Sequence, residues 1–210
     1  MAFDLKTVDE LLSTTRAVRK RLDLTRPVER DVLLDCVRLS TQAPTGSNSQ
    51  GWRWLLVDDA DKRRELAELY RRGGEEYLKG AVSQTGGDPQ TQRVYESALY
   101  LVEHLHEVPV HVIPCLSGRL PDGVPAGMQA GFYGSIFPAV WSFQLALRSR
   151  GLGSALTTLH LTYEAEAAKL LGIPENFTQV ALLPVAYTVG TDFKQATRGP
   201  VEEIVRWNQW

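Results

Sequence analysis

A chain of 210 residues, 43% hydrophobic and 23% charged, is long enough for one well-buried core, and its formal net charge of -2, spread along the chain, offers no field to recruit nucleic acid or an acidic membrane. Cys36 and Cys115, the two cysteines, form neither a C-x-x-C pair nor a metal-ligand spacing and read as reduced core residues of a cytoplasmic protein. The N-terminal residues lack a basic head and apolar core, and no window approaches the roughly 18 apolar residues of a membrane span, so the expectation is one globular domain over residues 1–210.

In chain order, Thr7 or Asp9 is suited to cap a first helix carrying Val8, Leu11 and Leu12, which runs into Arg16-Ala17-Val18-Arg19-Lys20-Arg21. Cations there either complement the helix dipole or converge on an anion, which arginine binds bidentately. Pro27, Glu29 and Asp31 open a second helix with Leu33, Cys36 and Val37 on one face, ending at Pro44.

The next stretch, Ala43-Pro44-Thr45-Gly46-Ser47-Asn48-Ser49-Gln50-Gly51-Trp52-Arg53-Trp54, sets small neutral donors and acceptors beside two tryptophans. It reads as a loop for a flat, hydrogen-bonding heterocycle, or as a plain polar connection into a strand. Trp54 to Val57 is a buried strand, with Trp52 and Trp54 on one side of it if it begins early. A helix from Lys62 to Tyr77 follows, with a break expected at Arg71-Arg72-Gly73-Gly74. Its charges Arg71, Arg72, Glu75, Glu76 and Lys79 read as a solvated face or as part of a lid over a zwitterionic substrate.

Gly86-Gly87-Asp88-Pro89 is a turn, Thr91 to Glu107 a helix, and Val108 to Ile113 a second strand. His104 and His106 bracket the helix end as caps, and no third ligand stands at a zinc-like spacing. Ser117 to Gly131, rich in Gly and Pro, reads as a surface loop. Gly134 to Arg150 reads as one long apolar helix for a core or a subunit interface. A short strand and loop over Ser154 to His160, a helix from Glu164 to Leu171 ended by Gly172, and a strand from Val180 to Val189 complete the domain. A tail from Lys194 ends in Trp207 and Trp210, rings that call for a surface to cover them. Helices thus interleave with about four strands. No G-x-G-x-x-G, P-loop or G-x-S-x-G is present, so dinucleotide-binding Rossmann, nucleotide-hydrolysing and serine-hydrolase readings lack support.

Four segments taken together, Arg16-Ala17-Val18-Arg19, the loop from Ala43 to Trp52, Gly151-Leu152-Gly153-Ser154, and Arg198 before Pro200-Val201-Glu202-Glu203, resemble the nitroreductase family of FMN-dependent oxidoreductases. The resemblance spans nearly the whole chain. It implies an α+β fold, a three-layer α-β-α sandwich on a mixed or antiparallel central sheet, in an intertwined homodimer with FMN at the interface and the tail 194–210 wrapped on the partner. By the same resemblance Arg16, Ala17 and Arg19 hold the FMN phosphate and pyrimidine edge, with Ala17 where the family has serine and Lys20 as the alternative to Arg19. Arg198 also reaches the phosphate. Pro44, Thr45, Ser47, Asn48 and Gln50 serve the flavin of the other subunit, with Gly51 where the family has proline. Leu156, Thr157, Thr158 and Leu159 cross the flavin near N5, some relatives having Glu-Gly in place of Thr158-Leu159.

The implied chemistry is the flavin's: NADH or NADPH delivers a hydride to N5, and a nitroaromatic, a quinone or a related small acceptor then takes the electrons in a ping-pong cycle. No metal and no protein acid, base or nucleophile is required. Arg19 near N1/O2 would stabilise the reduced flavin, and an amide of Thr157 or Thr158 would bond N5. Dehalogenation, flavin degradation and biosynthetic dehydrogenation are alternative tasks of the same fold, and FMN storage without turnover is a third reading.

Overall fold

The computed structural model of the chain describes residues 3–84 and 86–210; Met1 and Ala2 of the N-terminal reading, and Thr85 of the expected lid, lie outside them. Strands β1 (Trp52–Val57), β2 (Val110–Ser117), β3 (Leu152–Ser154), β4 (Phe177–Gln179) and β5 (Leu183–Tyr187) form one sheet in the order β1-β2-β5-β3, with β4 also on β2. Every pairing between these strands is antiparallel. The helices are α1 (Leu5–Thr14), α2 (Arg30–Ser40), α3 (Ala60–Ser83), α4 (Pro89–His104), α5 (Ala126–Gly134), α6 (Phe137–Arg148) and α7 (Glu164–Leu171).

The alternation of side chains along β2 divides the core. Val110, Val112 and Leu116 pack with Leu33 and Cys36 of α2 and Val140, Phe143 and Leu147 of α6. Ile113 and Cys115 pack on the other side, with Ala67, Tyr70 and Leu78 of α3 and Leu101 and Val102 of α4. Successive residues of a strand point to opposite faces, so helices cover both faces and the α+β sandwich results. Each large side chain removed from water in these layers contributes about 1.5–3 kcal/mol. Strand β1 begins at Trp52, and Trp52 and Trp54 both join the layer of α6.

Several boundaries differ from the sequence-based expectation. Helix α1 has Asp4 at its N-cap and stops at Thr14. The chain then runs extended beside the sheet, Val18 N–H donating to Ser154 O at 2.8 Å and Leu22 bridging Thr188. The basic cluster is therefore not a helix end. Helix α3, capped by Asp59 at the Lys62 amide, is unbroken for 24 residues through Gly73-Gly74. A Cβ at Gly73 would lie 2.1 Å from Leu159 O, and one at Gly74 2.2 Å from Leu159 Cδ1. These glycines admit a crossing chain, the 3-10 turn Leu159–Tyr163, at a helix cost of about 1 kcal/mol each.

The loop expected over 117–131 ends in α5, and the helix expected from Gly134 to Arg150 is α6, which starts at Phe137 after a break at Ser135-Ile136. Pro138 stands in the first turn of α6, where its missing N–H is tolerated but where it could not continue a helix from α5. The strand expected from Val180 to Val189 is shorter, β5, and a further short strand, β4, precedes it. Between them Leu182 leaves the register to pair with Thr157 through two backbone bonds of 3.0 and 2.8 Å.

Candidate cofactor site

The extended segment after α1 forms the floor of a cleft of about 350 Å³ lined by Arg16, Ala17, Arg19, Lys20 and Ser97, among others. Gly153 makes the close packing possible, since a Cβ there would come within 3.0 Å of Val18 Cβ. The far wall is the root of the tail. Arg21 pairs with Asp192 at 2.6 Å and donates through Nε to Val189 O, while Arg16 Nη1 donates to Lys194 O at 3.0 Å. Phe193 is flanked by the guanidinium carbons of Arg21 at 4.3 Å and Arg148 at 4.8 Å. Arg21 and Arg148 are thus engaged in holding the chain together.

Arg19 differs from its neighbours. It is half-buried while Lys20 is exposed, and its Nε is buried without a hydrogen-bond partner among the described residues. Desolvation lowers its pKa, partly opposed by Tyr70, yet a guanidinium stays charged. A buried cation with an unpaired donor is a receptor for an anion or a carbonyl edge.

Tyr70, 1% exposed on α3, accepts a hydrogen bond from Thr157 Oγ1 at 3.4 Å. Burial pushes its phenol pKa up, so the hydroxyl keeps its proton. In the sequence Tyr70 stands beside Leu66 and Leu69 within the helix expected from Lys62 to Tyr77. The available signal was its hydroxyl, which needs a partner when the ring is buried. In the turn after β3, Leu156 and Thr158 are exposed, and Thr157 and Leu159 are half-buried. The Thr157 amide is engaged by Leu182 O, which removes it as a candidate donor to a ligand. The Thr158 amide has no backbone partner of that kind among the described residues.

The loop before β1 carries a short 3-10 turn over Gly46–Asn48. Pro44, Ser47, Asn48 and Gln50 are exposed and Thr45 half-buried. Ser47, Asn48 and Gln50 have φ of 52°, 51° and 48°, a left-handed conformation that non-glycine residues adopt rarely and that concentrates at ligand sites. Internal bonds support it: Gln50 N–H to Thr45 Oγ1 at 3.3 Å and Gln50 Nε2 to Asn48 Oδ1 at 2.9 Å. Ser135, which the sequence reading did not single out, accepts from the Gly46 amide at 3.0 Å through Oγ and from Trp52 Nε1 at 2.7 Å through its carbonyl.

Within one chain the structure brings Arg16, Ala17 and Arg19 to one cleft, and bonds Thr157 to Tyr70 in the layer where Val18 packs. It does not bring the loop residues Pro44 to Gln50 or Arg198 to that cleft; among the described residues Arg198 donates only to the adjacent Thr197 O. Arg71, Arg72, Glu75 and Lys79 of the expected lid are paired, Arg71 with Glu68 and Glu75, Lys79 with Glu75, and Arg72 with Glu166 of α7. Burial pushes Cys36 up to about 11 and Cys115 to about 12, which makes both thiols inert. Among the described residues no group of three potential ligands is placed to hold a metal ion, and no helix is long and apolar enough to cross a membrane.

The sequence model of the nitroreductase family matches residues 12–187. Iodotyrosine deiodinase from Nematostella vectensis is 26% identical over 204 residues, covering 90% of this chain and 70% of that protein. Among solved structures, oxidized iodotyrosine deiodinase bound to FMN and 3-iodo-L-tyrosine superposes with a TM-score of 0.73 at 24% identity, covering 96% of this chain and 98% of the other. The FMN-dependent nitroreductase NfnB from Mycobacterium smegmatis in complex with NADPH gives a TM-score of 0.68 at 18% identity, over 98% and 99% of the two chains. At these identities the structures establish a shared fold.

Proposed function

The chain belongs to the nitroreductase family, and from that premise we propose that it is an FMN-dependent oxidoreductase, a homodimer of residues 1–210, whose task is reductive removal of halogen from a small aromatic substrate. The observation that carries the flavin is Arg19, a desolvated cation with an unpartnered Nε at the foot of a basic cleft. That donor set fits a phosphate or the electron-rich edge of a flavin. FMN, when bound, supplies the two-electron chemistry.

The residues have separate duties in this reading. Arg16 and Arg19 hold negative charge, and Ala17 keeps the approach open without a hydroxyl of its own. Thr158 offers its amide beside Thr157, with Leu156 and Leu159 shielding the reacting face from water. The loop residues Pro44, Thr45, Ser47, Asn48 and Gln50, and Arg198 of the tail, complete the site across the dimer. What supports the dimer is apolar surface left bare on one chain: Met128, Tyr133, Phe137 and Trp141 on α5 and α6, and Trp207 and Trp210 in the tail. A patch of that kind marks an interaction surface.

Reduction of nitroaromatics or quinones by NADH or NADPH, placed first by the sequence motifs, becomes the second reading. The likeness to deiodinases supports dehalogenation, and the likeness to the NADPH complex supports the second. Anaerobic mixing of the dithionite-reduced, FMN-loaded protein with 3-iodo-L-tyrosine is the test. Iodide release together with recovery of the oxidised flavin spectrum is the expected result. Rapid bleaching by NADPH with nitro-compound turnover and no iodide favours the second reading, and failure to take up FMN overturns both.

A further inference from the structure

Building on the flavin reading above, we propose that Tyr70 is a positioning residue of the cofactor site: its phenol oxygen couples the Arg19 guanidinium to the Thr157 hydroxyl and so sets the hold on FMN and the potential at which bound FMN is reduced.

The three residues come from distant parts of the chain, the extended segment after α1, the middle of α3 and the turn after β3. Their meeting is a product of the fold. The ring of Tyr70 sits in the core layer with Val18 and Leu182, where a phenylalanine would fill the same space. Packing alone does not call for the oxygen, and burying a hydroxyl without use is unfavourable. Here the oxygen is used. Thr157 Oγ1 donates to it at 3.4 Å, which leaves the phenolic proton and a second lone pair for other partners, and Arg19 lies close enough for the two groups to influence each other's ionisation.

A desolvated guanidinium acts strongly on nearby negative charge, and more so when its direction is fixed beforehand. Tyr70 packs in one layer with Val18, the neighbour of Arg19, and holds the side chain of Thr157, whose backbone is already pinned to Leu182.

Titrations of FMN and of its midpoint potential test this in the full-length protein. Tyr70→Phe should melt as the parent does, bind FMN about five- to tenfold more weakly, and lose about tenfold in its preference for reduced over oxidised FMN. For a two-electron couple that is about 30 mV more negative. Thr157→Val should shift both quantities the same way, Thr157→Ser should recover most of the shift, and the Tyr70→Phe/Thr157→Val pair should be no worse than Tyr70→Phe alone. A Tyr70→Phe protein with parental affinity and potential makes Tyr70 an ordinary core residue and overturns the proposal. If that variant does not fold, Thr157→Val against Thr157→Ser decides, equality of the two being the overturning result. A parent protein that binds no FMN brings down the flavin reading itself, before any variant is compared.

Discussion

The indole N–H of Trp52 donates to the Ser135 carbonyl at 2.7 Å, while the hydroxyl of that serine accepts from the Gly46 amide at 3.0 Å. One residue between α5 and α6 therefore fixes both the start of β1 and the loop that precedes it. Ser135→Ala keeps the carbonyl and removes both contacts of the hydroxyl, the one it accepts from the Gly46 amide and the one it donates to Gly131 O at 2.7 Å within α5. It should cost about 1 kcal/mol of stability in urea denaturation and weaken FMN binding several-fold by fluorescence titration. Unchanged affinity would separate the loop from the cofactor.

Two glycines of α3 should respond oppositely to the same substitution. Gly73→Ala drives a methyl into the Leu159 carbonyl, whereas a methyl added at Gly80 would meet nothing within 4 Å. Thermal denaturation should show Gly73→Ala losing more than about 2 kcal/mol and Gly80→Ala gaining about 0.5–1 kcal/mol.

Acid sensitivity should centre on two buried imidazoles. Burial holds His111 and His160 at about 4, below the ordinary value near 6.5. Between those values the unfolded chain binds more protons than the folded one, so stability rises with pH. The contribution is fully present above about pH 6.5 and is lost as pH falls through the folded value, on the order of 2–3 kcal/mol for each group. Urea midpoints from pH 4 to 7 should flatten in His160→Phe; an unaltered slope would place the acid transition elsewhere.

The tail offers a test of assembly. Ile204, Trp207 and Trp210 are almost wholly exposed on one chain, and removal of residues 205–210 should raise the monomer fraction seen by sedimentation velocity. A truncated protein that dimerises like the full chain would assign those rings to another surface.

Arg198 makes only a local backbone contact, so Arg198→Ala should leave folding unchanged. If it reaches the phosphate across the dimer, FMN affinity should fall roughly tenfold or more. Equal affinity would remove Arg198 from the site.

Elements with local signals were legible in the sequence: α7 with Gly172 behind it, the turn at Gly86-Gly87 before α4, and the apolar runs of β1 and β2. Arg16 and Arg19 stood out because cations are rare beside an apolar segment. What escaped was set by contacts between distant residues. Gly73-Gly74 looked like a helix break because the chain that presses on them, at Leu159, is 85 residues away or more. Tyr70 and Ser135 looked like ordinary helix positions because their partners, Thr157 and Gly46, are likewise remote. The late start of the last strand goes with the pairing of Leu182 with Thr157, which no periodicity encodes.

The clasp of Arg21 and Arg148 on Phe193 has a mechanical meaning for the proposed homodimer. It moors the arm to its own subunit, and from Lys194 to Trp210 the free chain can stretch roughly 50 Å. A globule of this length has a radius of gyration of about 17 Å, so the arm can traverse a second copy. Because Phe193 and Lys194 also line the cleft, a partner that drew on the arm would bear first on the cleft wall, beside the floor where Arg19 lies.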